Sequence, residues 1–187
     1  VRQAMARDYQ QLFGDLARDY QITLVAGSIV LPEPRIERGR LEVGRGPLYN
    51  VSLVFDQAGN PLGQPQRHAF SAGALTTETT GAVQVLETPA GRLGVLLGGD
   101  MQQLRQATTA GDETIELLAM PSDLDSQADD AEFGDQLQTH GIRAGLKVHL
   151  RGRLWERSGQ SQALAFDAGR SERGASERGA QLINLWL

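Results

Sequence analysis

Residues 83–100 read VQVLETPAGRLGVLLGGD. Two apolar runs, 83–88 and 92–97, flank the turn-forming segment Pro89-Ala90-Gly91. Short apolar runs bounded by Pro and Gly predict a β-hairpin rather than a helix. Gly98, Gly99 and Asp100 break the second run, and Met101, Leu104 and Ala107 follow at the spacing of a short helix.

The strand pattern continues on both sides. Upstream, ITLVAGSIV (22–30) and LYNVSLVF (48–55) are apolar and rich in β-branched residues, as buried strands are. Pro32 and Pro34 are expected to end the first, 35–46 to form a charged loop, and DQAGN (56–60) to turn. Downstream, IELLAM (115–120) reads as a strand stopped by Pro121, and 122–136 as a solvated acidic loop. LKVHLRGRLW (146–155) alternates, which puts Leu146, Val148, Leu150 and Leu154 on a buried face and Lys147, His149, Arg151 and Arg153 on a wet one. A tandem SERGA repeat (171–180) is polar and of low complexity, and QLINLWL (181–187) reads as a closing strand. At the start, Met5, Tyr9, Leu12, Phe13, Leu16 and Tyr20 recur every three or four residues, the stripe of an amphipathic helix slightly weakened by Gly14. The expected strand core is Leu24, Val25, Ile29, Val51, Leu53, Val85, Val95, Leu96, Leu117 and Leu118. Helix and strand in this order imply sheets covered by helices, an α/β class, and 187 residues suit one domain or at most two small ones.

Composition removes several functions. The net charge is −5, against a binder that neutralises nucleic-acid phosphates. There is no Cys, so disulfides, thiolate metal sites and cysteine nucleophiles are all absent from this chain. The three His are too scattered to suggest a multi-His metal centre. No apolar run approaches the roughly 18 residues of a membrane span, and no signal-peptide pattern is present, which points to a cytoplasmic location. Of 18 basic residues, Lys147 is the single lysine.

Four blocks in series carry a resemblance: VAGSIVLPEP (25–34), GPLYNVSLVFDQAGNPLG (46–63), ETPAGRLGVLLGGD (87–100) and ELLAMPS (116–122). Over residues 9–122 the chain resembles the carbon–nitrogen hydrolase (nitrilase) superfamily, and 146–187 matches it more weakly. The resemblance implies an α-β-β-α sandwich of mixed sheets with outer helices, one domain over 1–187, incomplete at its N-terminus. It also implies hydrolysis of amides or nitriles by a Cys nucleophile, a Lys, a base Glu and a supporting Glu. In such a site a carboxylate takes the thiol proton, and an ammonium and a backbone N–H hold the developing oxyanion.

Carried over position by position, that site is degenerate. Gly98 stands at the Cys position, and the Gly99 N–H at the oxyanion position. Arg67 stands at the Lys position and Glu78 at that of the supporting Glu. The base Glu belongs to an upstream segment without a counterpart in this sequence. The resemblance therefore implies a catalytically inactive relative with no metal or cofactor, a small-molecule amide or carboxylate ligand, and a homodimer. The alternative is an active hydrolase with an unrecognised nucleophile, or with parts supplied by another chain. A drifting gene piece is a third reading.

Other motifs read blandly. Arg67 with His68 suits a residual anion site less well than a solvated strand end, and Glu78 a loop carboxylate. The row Lys147, His149, Arg151, Arg153 and Arg157 reads as the wet face of an edge strand, ahead of a docking stripe for an acidic partner. GQSQA (159–163) lacks the second Gly of a nucleophile elbow, and GRGPLY (44–49) the third Gly of a dinucleotide fingerprint.

Overall fold

The computed structural model describes residues 2–69, 83–97, 104, 114–122, 132–150, 152–154, 157–159, 162–174 and 182–186. The chain is mixed α/β with several sheets and divides into two compact units, Val1–Pro89 and Ala90–Leu187.

In the first unit, helix α1 (Arg2–Tyr20) covers one face of a sheet centred on β5 (Leu48–Phe55). One side of β5 pairs with β6 (Pro61–Ala69), the other with β1 (Leu24–Val25) and β2 (Ile29–Pro32). The expected strand 22–30 is therefore two strands on one edge. Between Val25↔Val54 and Ile29↔Val51 the register slips by one residue, a bulge at Ala26–Ser28. Two carbonyls of the bulge find side-chain donors: Ser52 Oγ donates to Ala26 O at 2.7 Å, and Tyr9 OH to Gly27 O at 2.7 Å. Pro32 is the last residue of β2 rather than a stop beyond it.

Residues 35–46, expected as a loop, contain a hairpin of β3 (Arg35–Glu37) and β4 (Arg40–Glu42). Its turn places Arg38 and Gly39 both at positive φ, 50° and 76°, the conformation of a type I′ turn. Side-chain amides tie the hairpin in by imitating a neighbouring strand. Gln10 accepts from Leu41 N–H at 2.7 Å and donates to Gly39 O at 2.8 Å. Gln64 of β6 does the same for Ile36, at 2.9 and 3.1 Å, and Gln84 for the backbone of Gln64, at 3.0 and 3.3 Å. A charged segment without an apolar stripe becomes ordered because glutamines supply the ladder.

The phase of α1 also differs from the expected one. Ala6, Tyr9, Gly14 and Ala17 are its buried residues, whereas Met5 and Leu12 are 44% and 58% exposed. The helix lies too close to the sheet for large side chains along its contact line. At Gly14 an added Cβ would stand 2.8 Å from the carbonyl oxygen of Gly59, and one on Gly59 2.5 Å from that of Gly14. Gly59 has φ +83° in the Asp56–Asn60 turn, whose Asp56 carboxylate accepts the Ala58 and Asn60 N–H groups. Gly14 is thus a contact point, not a weak spot.

In the second unit, β8 (Gly91–Val95), β9 (Leu117–Ser122) and β10 (Ala144–His149) run parallel, and β13 (Leu164–Asp167) and β14 (Arg170–Arg173) extend the sheet antiparallel. Both strands expected from 83–97 are present, β7 (Val85–Thr88) at the end of the first unit and β8 at the start of the second. A small hairpin of β11 (Gly152–Leu154) and β12 (Arg157–Gly159) stands apart from that sheet. Helix α2 (Phe133–Thr139) lies in the crossover between β9 and β10 and takes up 133–136 of the expected acidic loop, of which 123–131 lie outside the described residues. Its Phe133 and Leu137, one turn apart, are buried against Gly145.

Four more expectations change. Pro121 sits inside β9. Ala119 O accepts from Leu96 on the β8 side, so by alternation the imino nitrogen of Pro121 also faces β8, beyond the last paired residue Val95. The missing N–H costs no bond to β10. Residues 182–186 form no strand, and Leu182 and Trp186 are exposed: the apolar residues are present, but among the described residues no strand pairs with them. The first copy of the SERGA repeat enters edge strand β14. On β10, Lys147 and His149 are buried while Val148 is 54% exposed and Leu150 is exposed, the reverse of the expected faces. Gly145, pressed against α2, sets that phase, and residues 147 and 149 share its face. Of the expected core, Val51, Leu53, Val95, Leu96 and Leu118 are buried, and Leu24, Val25, Ile29, Val85 and Leu117 half-buried. Of the short helix expected at 101–107, only Leu104, buried, lies within the described residues.

Three substitutions test this packing in urea denaturation. Gly14→Ala gains about 1 kcal/mol of helix propensity, but overpacking typically costs about 1–3 kcal/mol, so a net loss is expected. A net gain would place α1 farther from the turn. Val148→Ser should change stability by no more than about 0.5 kcal/mol. Lys147→Ala, at a fully buried position, should cost about 2–5 kcal/mol. The opposite ranking would restore the face assignment expected from alternation.

Candidate functional site

The four expected site residues fare differently. Glu78, Gly98 and Gly99 lie outside the described residues, as does Asp100. Arg67 is described. It sits on β6 opposite Val51, on the face that α1 covers, with its guanidinium 5.6 Å from the ring centre of Tyr49, a cation–π contact. The opposite face of β5 and β6 carries Ser52, Gln66 and His68, all buried. Arg67 therefore points away from its two polar neighbours on the strand. Among the described residues His68 Nδ1 is buried without a hydrogen-bond partner, a costly state that marks this face as unusual. Burial also pushes the Tyr9 phenol well above its ordinary pKa, and its proton is held on Gly27 O.

In the second unit the parallel strands β8, β9 and β10 share one C-terminal edge, the place where open α/β sheets carry ligands. Leu96 and Leu97 are buried just past β8 and lead in sequence to Gly98. At the same edge His149 of β10 is the register partner of Ser122 of β9, and Lys147, two residues back, pairs with Met120. Ser122, His149 and Lys147 thus stand near one edge of the sheet, with Lys147 and His149 buried. Sequence reasoning assigned Lys147 and His149 to a solvated face. The usable signal was compositional: a chain that writes 17 of its 18 basic residues as Arg keeps its single Lys inside the sheet. Arg151 and the side chains of Arg153 and Arg157, the rest of the expected basic stripe, lie outside the described residues.

The N-terminal edge of these strands carries a second polar row. Glu116 accepts the Arg92 N–H at 2.8 Å and faces the Arg92 guanidinium at 3.4 Å. The Arg92 N–H holds this carboxyl below its ordinary range against a smaller opposing effect of desolvation, and the charges of Arg92 and Arg143 add lesser shares in the lowering direction. Among the described residues no group of three His, Asp or Glu side chains could hold a metal ion. No helix among them is long and apolar enough to cross a membrane.

No family model matches the chain, and no curated protein does. Solved structures do. A mutant of the amidase from Nesterenkonia sp. AN1, bearing the product of Michael addition of acrylamide at its active site cysteine, superposes with a TM-score of 0.74 at 18% identity, covering 99% of this chain and 71% of that one. A second mutant of that amidase, described as belonging to the nitrilase superfamily, gives 0.71 at 17% identity, covering 97% and 69%. A further crystal structure of an amidase from Nesterenkonia sp. gives 0.72 at 18%, with the same coverage. At such identity the likeness establishes the fold alone: this chain has the fold of nitrilase-superfamily amidases.

Proposed function

We propose that the chain is a carbon–nitrogen hydrolase-like protein that does not hydrolyse amides or nitriles and instead binds a small amide or carboxylate. One observation carries the reading: the fold is that of an amidase that reacts at a cysteine, and this sequence contains no cysteine. Thiolate attack is then unavailable at Gly98 or anywhere else in the chain. Arg67, Glu78, Gly98 and Gly99 are vestigial positions in this reading. A homodimer and a cytoplasmic setting belong to it as well, the first to be checked by sedimentation at micromolar concentration.

A second reading has its own support. Ser122 and His149 are register partners at the C-terminal edge of the parallel strands, the residue types of a hydroxyl nucleophile and its base. An active hydrolase with an unrecognised nucleophile would be sought there first.

Ammonia release from short aliphatic amides and nitriles separates the two. The chain should release none above the buffer rate, and Gly98→Cys combined with Arg67→Lys should add at most weak turnover. Steady release by the unmodified chain, lost in Ser122→Ala or His149→Ala, would overturn the inactive reading in favour of the second.

A further inference from the structure

At the N-terminal edge of β8, β9 and β10 the register places Arg92, Glu116 and Arg143 in one row, since the next row is Leu93↔Leu117↔Ala144. Adjacent strands stand about 4.8 Å apart, so the row is cation, anion, cation on a short pitch. The backbone pins it. Glu116 N donates to Arg92 O at 2.9 Å, and Glu116 O accepts from Arg143 N at 3.1 Å and from Ala144 N at 3.3 Å. The Glu116 carboxylate is turned toward β8. It lies over Gly91, where an added Cβ would stand 2.7 Å from Oε2, and takes the Arg92 N–H. Arg92 is thereby partly neutralised, while among the described residues no carboxylate lies within salt-bridge distance of the Arg143 guanidinium. These side chains line a cavity of about 470 Å³ together with Thr114 and Gly141. Its three charges sum to one positive in a chain of net charge −5.

We propose that this cavity binds a small anion, a carboxylate or phosphate group, held by the guanidiniums of Arg143 and Arg92. Arginine suits the role because its planar fork matches both oxyanion types in two parallel hydrogen bonds. Thr114 adds a hydroxyl donor. Glu116 fixes the Arg92 backbone and limits affinity, because its ionised carboxylate repels the ligand. The site lies at the strand edge opposite Ser122 and His149, so it stands independently of whether the chain hydrolyses anything.

The test is calorimetric titration of the full chain with inorganic phosphate and, separately, succinate at low salt. At least one should bind saturably, with a Kd of about 1 mM or tighter, and the tighter of the two identifies the headgroup. Arg143→Gln, at an exposed side chain whose backbone bond is kept, should weaken binding at least about tenfold. Glu116→Gln retains an acceptor for the Arg92 N–H and should tighten binding several-fold. Rising salt should weaken binding in every form. Glu116→Gln also carries a readout of folding. A carboxyl held below its ordinary value of 4.5 contributes stability that is present above that value and lost as pH falls through its folded value. The variant should therefore lose less stability than the unmodified chain as pH falls below about 4.5. Absence of saturable binding by either anion, or unchanged affinity in Arg143→Gln, would overturn the proposal.

Discussion

The parallel register of β8, β9 and β10 is the constraint on which the second unit turns. One alignment, Leu93 with Leu117 with Ala144, determines both polar edges of the sheet. Toward the N-termini it sets Arg92, Glu116 and Arg143 in a row, and toward the C-termini it sets Ser122 beside His149. Because side chains alternate with period two, a slip of one residue would exchange every buried and exposed group on β10. The close seat of α2 on Gly145 resists that slip.

The first unit relies on a different device. Its helix approaches the sheet closely through Ala6, Gly14 and Ala17, and polar side chains carry out the work of missing strands. Gln10 and Gln64 each offer a donor and an acceptor to the β3–β4 hairpin, while Ser52 and Tyr9 satisfy the carbonyls of the bulge. Buried backbone groups must be paired, and here the partners come from amide and hydroxyl side chains distant in sequence. Among the described residues of the same unit His68 Nδ1 has no hydrogen-bond partner on the face opposite Arg67, which makes His68 a more informative residue than the arginine beside it.

The fold class was legible because several apolar runs lie in order between turn signals. The turns at 89–90 and 56–60 were read from Pro, Gly, Asp and Asn, residues whose backbone preferences act locally. The absence of thiol chemistry was also legible, since a count of zero cysteines requires no alignment. Much less of the candidate site was legible. Lys147 and His149 were misplaced because a charged residue in an alternating strand reads as solvated, and Arg92, Glu116 and Arg143 stand 24 and 27 residues apart, too far to form a motif.

The sequence by itself thus determined the strand-rich α/β class, the local turns and the absence of thiol chemistry, because each follows from residue type or short-range periodicity. The tertiary structure alone decided which face of α1 and of β10 is buried, where Pro121 is tolerated and which charged groups share a row. Those outcomes depend on close approach at Gly14, Gly59 and Gly145 and on pairing between distant strands. No window of neighbouring residues contains either partner of such a contact together with the other.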